Sequence, residues 1–150
     1  MAQSLAKRTV HVVYSTKNRE PVLTKPIREK LFAYSIGILK SLDCVTIAIN
    51  GTEDHLHALI IISKTIALSK MIQELKGGTS RWLKDQDDTL KLFAWQGGYG
   101  AFSVSESQIP NVTNYIARQE EHHRRVSFQE ELRLLLKKHN IEFDENYLWT

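Results

Sequence analysis

The stretch Val45-Thr46-Ile47-Ala48-Ile49-Asn50-Gly51-Thr52-Glu53-Asp54-His55-Leu56-His57-Ala58-Leu59-Ile60-Ile61-Ile62 decides how this chain folds. Two runs rich in β-branched residues flank a short segment with turn chemistry, Asn50 to Asp54. Runs joined so closely pair as an antiparallel hairpin. Working outward, Thr9 to Tyr14 (Thr-Val-His-Val-Val-Tyr) is again β-branched and aromatic and reads as a strand. Between these strands, Pro26 suits the first turn of a helix, with Thr24 or Lys25 before it. Ile27, Leu31, Phe32, Tyr34, Ile38, Leu39 and Leu42 give that helix its spacing, and it ends near Leu42 and Asp43. After the hairpin, Leu68, Met71, Ile72, Leu75, Trp82 and Leu83 mark a second long helix, interrupted by Gly77-Gly78. A fourth strand region runs from Leu92 through Ser105, bent by Gly97, Gly98 and Gly100. Pro110 opens a third helix reaching about His123, and Ser127 can cap a fourth from Phe128 to about Lys138.

The order is β-α-β-β-α-β with helices appended. It predicts an α+β chain with a ferredoxin-like antiparallel sheet, two helices on one face and C-terminal helices beyond it. A length of 150 residues, 42% hydrophobic and 25% charged, predicts a single domain over 1–150 and excludes disorder and disulfide-stapled miniproteins. Twenty basic against seventeen acidic residues give a net charge of +3, which permits a nucleic-acid partner. The lone Cys44 excludes an internal disulfide and a multi-cysteine zinc site, suits a reducing cytoplasm, and reads as a small buried residue. No apolar run is long enough to cross a membrane. The expectation is a soluble cytoplasmic protein.

His55-Leu56-His57 carries the first chemistry. Strand residues two apart face the same way, so both imidazoles lie on one side and Leu56 on the other. Two imidazoles so placed can hold a divalent metal, or can simply be hydrogen-bonded histidines on a half-buried strand. In the third helix, Tyr115 and Gln119 are one turn apart on one face. A phenol can act as a nucleophile, but its reference pKa of about 10 leaves it protonated at neutral pH. It needs a metal-polarised phosphate or a base beside it. The Gln119 amide oxygen could add to a metal site; taken in isolation, the pair is better explained as a core tyrosine and a solvated glutamine. His122 and His123, next along, could orient ligands or contact phosphate, and read first as surface residues. Asp54, just before His55, could support that imidazole, but reads first as a turn residue. Gly97-Gly98 with Gly100 is no phosphate loop, since no Lys-Ser or Lys-Thr and no helix follow.

Together these residues resemble the HUH endonucleases, and within them the single-tyrosine transposases of insertion sequences that move as single-stranded DNA. The resemblance runs over about residues 8 to 135. It is carried by His55-Leu56-His57, by Tyr115-Ile-Ala-Arg-Gln119-Glu-Glu-His-His123, by His11-Val-Val-Tyr-Ser-Thr-Lys17, by Lys76-Gly77 with Ser80-Arg81, and by Trp95-Gln-Gly-Gly-Tyr-Gly-Ala-Phe-Ser-Val-Ser105. It implies a Mg²⁺ or Mn²⁺ ion on His55, His57 and Gln119, and Tyr115 as the nucleophile that forms a 5′-phosphotyrosine link before the DNA is rejoined. It further implies a homodimer in which the tyrosine helix of one chain can serve the histidines of the other, and imperfect DNA hairpins as the recognised element. Candidate phosphate contacts are Lys7, Arg8, Lys17, Arg19, Lys76, Arg81, Arg124 and Arg125. Two other readings share the scaffold: an HUH nickase that starts replication or plasmid transfer, and a hairpin-binding regulator without catalysis. A small-molecule or metal-binding domain is the plainest alternative.

Overall fold

A computed structural model describes residues 2–149. Four strands, β1 (Arg8–Ser15), β2 (Val45–Gly51), β3 (His55–Ile62) and β4 (Gly100–Ser103), form one sheet in the order β2-β3-β1-β4 with every neighbour antiparallel. Helices α1 (Lys25–Ser41) and α2 (Leu68–Lys84) join β1 to β2 and β3 to β4. The β-α-β-β-α-β order expected from the sequence is therefore present. Three further helices, α3 (Ile109–Ala117), α4 (Gln119–His122) and α5 (Phe128–Lys138), follow the sheet. Among the described residues no helix is long and apolar enough to cross a membrane.

The strand alternation separates two layers. Val10, Val12 and Tyr14 of β1 join Leu56, Ala58, Ile60 and Ile62 of β3 in a large core with Leu31 and Leu39 of α1 and Met71, Ile72, Leu75 and Leu83 of α2. Gly78 lets the two helices close on each other, because a Cβ there would lie 2.7 Å from Ile38 Cδ1. Cys44 is buried in this core at the foot of β2, as expected. On the opposite face Val13 and Phe102 pack with Phe128, Leu132 and Leu136 of α5. That second layer is small, and the chemistry-bearing side chains share its face of the sheet.

Three elements differ from their sequence-based boundaries. Of the fourth strand region only Gly100–Ser103 pairs in the sheet, with Trp95 forming a single bridge to Thr16. The segment between them departs from the ladder because the Lys76 ammonium takes the Gln96 and Gly98 carbonyls at 2.7 and 2.8 Å. The third helix is not continuous to His123: it stops at Ala117 and resumes at Gln119, with Arg118 at φ −102°, ψ 24°. The Asn50 amide caps this break by donating to the Ile116 and Ala117 carbonyls at 2.9 and 3.3 Å. The last residues, unplaced from sequence, fold back on α5. There Trp149 lies beneath the Arg133 guanidinium at 5.2 Å, and Arg133 pairs with Glu145 at 2.6 Å.

Candidate active site

β3 supplies the imidazole pair on the face away from the main core. His55 is 1% and His57 0% exposed. The turn before them is closed by Gly51, where a Cβ would stand 2.3 Å from the His55 carbonyl oxygen. Asp54 does more than turn the chain. Its Oδ1 lies 2.7 Å from His55 Nδ1, and Thr52 Oγ1 donates to the same carboxylate at 3.0 Å. Asp54 thus keeps a proton on Nδ1 and leaves the His55 Nε2 lone pair facing inward.

The break at Arg118 brings Gln119 into the same space, fully buried. Its amide nitrogen donates to the Tyr115 carbonyl at 3.3 Å, which turns Oε1 toward His55 Nε2, also at 3.3 Å. Tyr115 lies alongside, its ring centroid 5.7 Å from that of His57. The four residues singled out from the sequence therefore converge within a single chain.

The structure adds a residue that sequence reasoning missed. Glu131, 1% exposed, enters from α5 at the centre of the cluster. Its Oε1 accepts from His57 Nε2 at 2.8 Å and His123 Nε2 at 3.1 Å, and lies 3.6 Å from His55 Nε2. Its Oε2 accepts from the Tyr115 hydroxyl and lies 3.2 Å from His122 Nε2. His122 and His123, expected on the surface, are thus turned into the site; the helix break re-aims both. His11 completes the cluster from β1, with Nε2 2.7 Å from His57 Nδ1. Five of the six histidines of the chain meet here.

The electrostatics follow from burial and from that carboxylate. Burial holds His57 down to about 4 despite the opposing pull of Glu131, and holds His11 down to about 3, so both rings are neutral at physiological pH. Burial on its own would raise Glu131; hydrogen bonds from His123 and His57 outweigh it and keep the carboxyl well below the usual carboxylate range. Tyr115 is pushed above the ordinary phenol range by burial and then by the Glu131 charge. The nucleophile candidate is a firmly protonated phenol.

The donor set suits a divalent cation. Side-chain donor atoms of His55, His57, His123 and Glu131 all lie within 4.8 Å of one another. With the His55 proton on Nδ1, the lone pairs of His55 Nε2 and Gln119 Oε1 face the space beside the Glu131 carboxylate, which draws the His57 and His123 Nε2 protons to itself. Such an arrangement favours a positive charge at its centre. Nitrogen and oxygen ligands without thiolate fit Mg²⁺ or Mn²⁺ as well as other metals.

Access is from the Tyr115 side. A groove of ≈ 410 Å³ lined by Asn114, Tyr115, Arg118 and Arg125 and one of ≈ 690 Å³ lined by His11, Phe102, Val112 and His139 share Tyr115 and His122. Among the basic candidates, Lys17, Arg81, Arg124 and Arg125 are exposed. Others are engaged within the fold. Lys7 pairs with Glu106 at 2.7 Å, Arg8 donates to the Ser63 and Ile66 carbonyls, Arg19 lies over Trp149, and Lys76 holds the Gln96–Gly98 turn.

The site thus sets a tyrosine hydroxyl beside a buried cluster of imidazoles and one carboxylate against an antiparallel sheet. Residues 4–119 match the family described as "Transposase IS200 like". The chain belongs to that family. Among solved structures it is similar to a protein of Deinococcus radiodurans R1 assigned as a transposase, with TM-score 0.62 and 20% identity over 79% of this chain and 98% of that one. It is also similar to a REP-associated tyrosine transposase bound to a REP hairpin, with TM-score 0.63 and 15% identity over 96% of this chain and 91% of that one. At these identities the likeness is one of fold. No curated protein matches the chain.

Proposed function

We propose that this transposase, acting as a single domain, cleaves and rejoins single-stranded DNA at hairpin-marked element ends through a 5′-phosphotyrosine intermediate. The observation that carries the reading is the convergence of Tyr115, His55, His57 and Gln119 in one cluster. His55, His57 and Gln119 would hold a Mg²⁺ or Mn²⁺ ion, with Glu131 and His123 as further donors, and the ion would supply Lewis-acid polarisation of one phosphate. Asp54 and His11 orient the two β3 imidazoles through their Nδ1 atoms. Arg118 and Arg125, lining the groove beside Tyr115, offer positive charge to the incoming backbone.

The Tyr115 hydroxyl gives up its proton as its oxygen attacks the phosphorus, the bond from phosphorus to the 3′-oxygen breaks, and the 3′-oxygen takes up one proton, so the protons balance. The DNA is left with a free 3′-hydroxyl and a 5′-phosphate esterified to Tyr115. A 3′-hydroxyl from the same or another strand then attacks that ester and restores the phenol, so no external energy is needed. One nucleophilic tyrosine per chain would give one exchange, so a homodimer would carry two. The hairpin as target rests on the hairpin-bound neighbour. Exposed Lys17, Arg81, Arg124 and Arg125 are the proposed phosphate contacts.

The test uses labelled single strands from the DNA flanking the gene, incubated with protein and Mn²⁺ or Mg²⁺ and resolved on a denaturing gel. A covalent adduct is expected that disappears with Tyr115→Phe, His57→Ala or chelator. Tight hairpin binding with no adduct on either strand would replace this reading with the non-catalytic regulator. Adducts that form but never rejoin would replace it with a nickase.

A further inference from the structure

The groups around Glu131 divide between its two oxygens. Oε1 faces the imidazoles of His57, His123 and His55, the side on which a metal would sit. Oε2 faces the Tyr115 hydroxyl and His122. The carboxylate is rigidly placed. Phe128, one turn earlier on α5, stacks on His55 with centroids 4.8 Å apart, and Leu132 and Leu136 anchor the helix in the second core layer. The Ser127 hydroxyl fixes the start of α5 by accepting from the Glu130 amide at 3.2 Å.

A phenol on a half-exposed helix would otherwise rotate its hydroxyl freely among water partners. Here the O–H bond has one buried ionised acceptor. A hydroxyl that donates to Oε2 turns its lone pairs away from the carboxylate; His122 Nε2 lies 3.5 Å from the same oxygen, and Tyr115 and His122 both line the groove with Asn114, Arg118 and Arg125.

We propose that Glu131 is the positioning residue for the nucleophile: through Oε2 it sets the aim of the Tyr115 oxygen, and through Oε1 it ties that aim to the metal-binding imidazoles. The inference rests on Tyr115 being the nucleophile of the proposed reaction. It goes beyond a ligand role for Glu131, because a ligand alone would have no reason to hold the phenol. In this arrangement the nucleophile and the metal site are registered to each other by one side chain instead of by the fold at large.

The experiment separates these roles. Glu131→Gln keeps the shape, but one end of an amide is a donor, so it cannot accept from His57 and from Tyr115 at once. Mn²⁺ binding by calorimetry and single-turnover adduct formation are measured on wild type, Glu131→Gln and Glu131→Ala. At saturating Mn²⁺ we expect adduct formation to stay about 100-fold slower in both variants, the size of effect that misplacing a reacting group by about an ångström produces. A rate that returns to within threefold of wild type once Mn²⁺ is saturating would overturn the positioning role and leave Glu131 a ligand only. A second readout needs no DNA. In protein carrying 3-fluorotyrosine, the fluorine resonance of residue 115, assigned with Tyr115→Phe, should shift and broaden in Glu131→Gln. That of Tyr14, sealed in the opposite core, should stay in place and report an intact fold. An unmoved residue 115 signal would overturn the contact. If wild type forms no adduct on any strand, the transposition chemistry itself fails, while the fluorine signals still decide whether Glu131 holds the phenol.

Discussion

Docking of α5 onto the sheet delivers the Glu131 carboxylate, and Phe128→Ala tests that docking most directly. Phe128 is 3% exposed, packed with Val13, Phe102, Leu132 and Leu136, and stacked on His55 at 4.8 Å and 29°. Truncating a buried Phe to Ala costs about 3–5 kcal/mol through lost transfer energy and the cavity left behind. Among the described residues the second layer has five buried members with Leu135, Phe143, Leu148 and Trp149 packed against them, and a loss near the middle of that range is expected. With a urea slope of roughly 2 kcal/mol/M, a loss of about 4 kcal/mol moves the midpoint down by about 2 M. Phe128→Leu retains most of the volume and should cost under about 1.5 kcal/mol, while giving up the ring stack on His55. Equilibrium urea unfolding followed by circular dichroism measures both. A cost below about 1 kcal/mol for Phe128→Ala would show that α5 does not seat on this face, and the placement of Glu131 would fall with it.

Acid should destabilise the metal-free protein before the ordinary carboxylates titrate. His57 is held at about 4 against 6.5 in the unfolded chain, so the unfolded state binds its proton first; the stabilisation is complete above about pH 6.5 and lost as pH falls toward 4. At 1.36 kcal/mol per factor of ten in proton affinity this amounts to about 3 kcal/mol, and urea midpoints that stay level between pH 7 and 4.5 would contradict it. Mn²⁺ at a hundredfold over its Kd should stabilise by about 2.7 kcal/mol and raise Tm by roughly 5–10 °C, an increment that should vanish in His55→Ala. Gly77→Ala should stabilise by about 1 kcal/mol in the same urea assay. Its nearest neighbour would be Arg81 Nη1 at 3.4 Å, so the helix gains propensity without a clash, and a loss of stability would reveal a constraint on that backbone.

The sheet and the first two helices were legible because their signals are local. Period-two alternation in His55–Ile62 and three-to-four spacing in Leu68–Lys84 each name a buried face within one element. The same alternation placed His55 and His57 together. Glu131 was hidden for the opposite reason. An acidic residue in the first turn of a helix reads as a solvated partner of the helix dipole. The available signal was its position three after Phe128 and one before Leu132, on the apolar stripe, where a charge must be paired. His122 and His123 were misread because the break at Arg118 carries no Gly or Pro to announce it. It depends on the Asn50 amide, 66 residues away from Ile116 in sequence, which no local pattern connects to it. Trp95 and the glycines after it were extended into a strand because composition cannot show that Lys76 has claimed their carbonyls.

The two-sided alternation of β3 has a consequence for how this chain can drift under mutation. Leu56, Ala58, Ile60 and Ile62 pack in the main core, whereas His55 and His57 belong to the cluster around Glu131 on the other face, and the two sets are interleaved residue by residue. A library scored for abundance and again for strand transfer would record two combs with their teeth offset by one position. Lineages that lose the reaction would fill in one comb and keep the other, and their history could be read from a single strand.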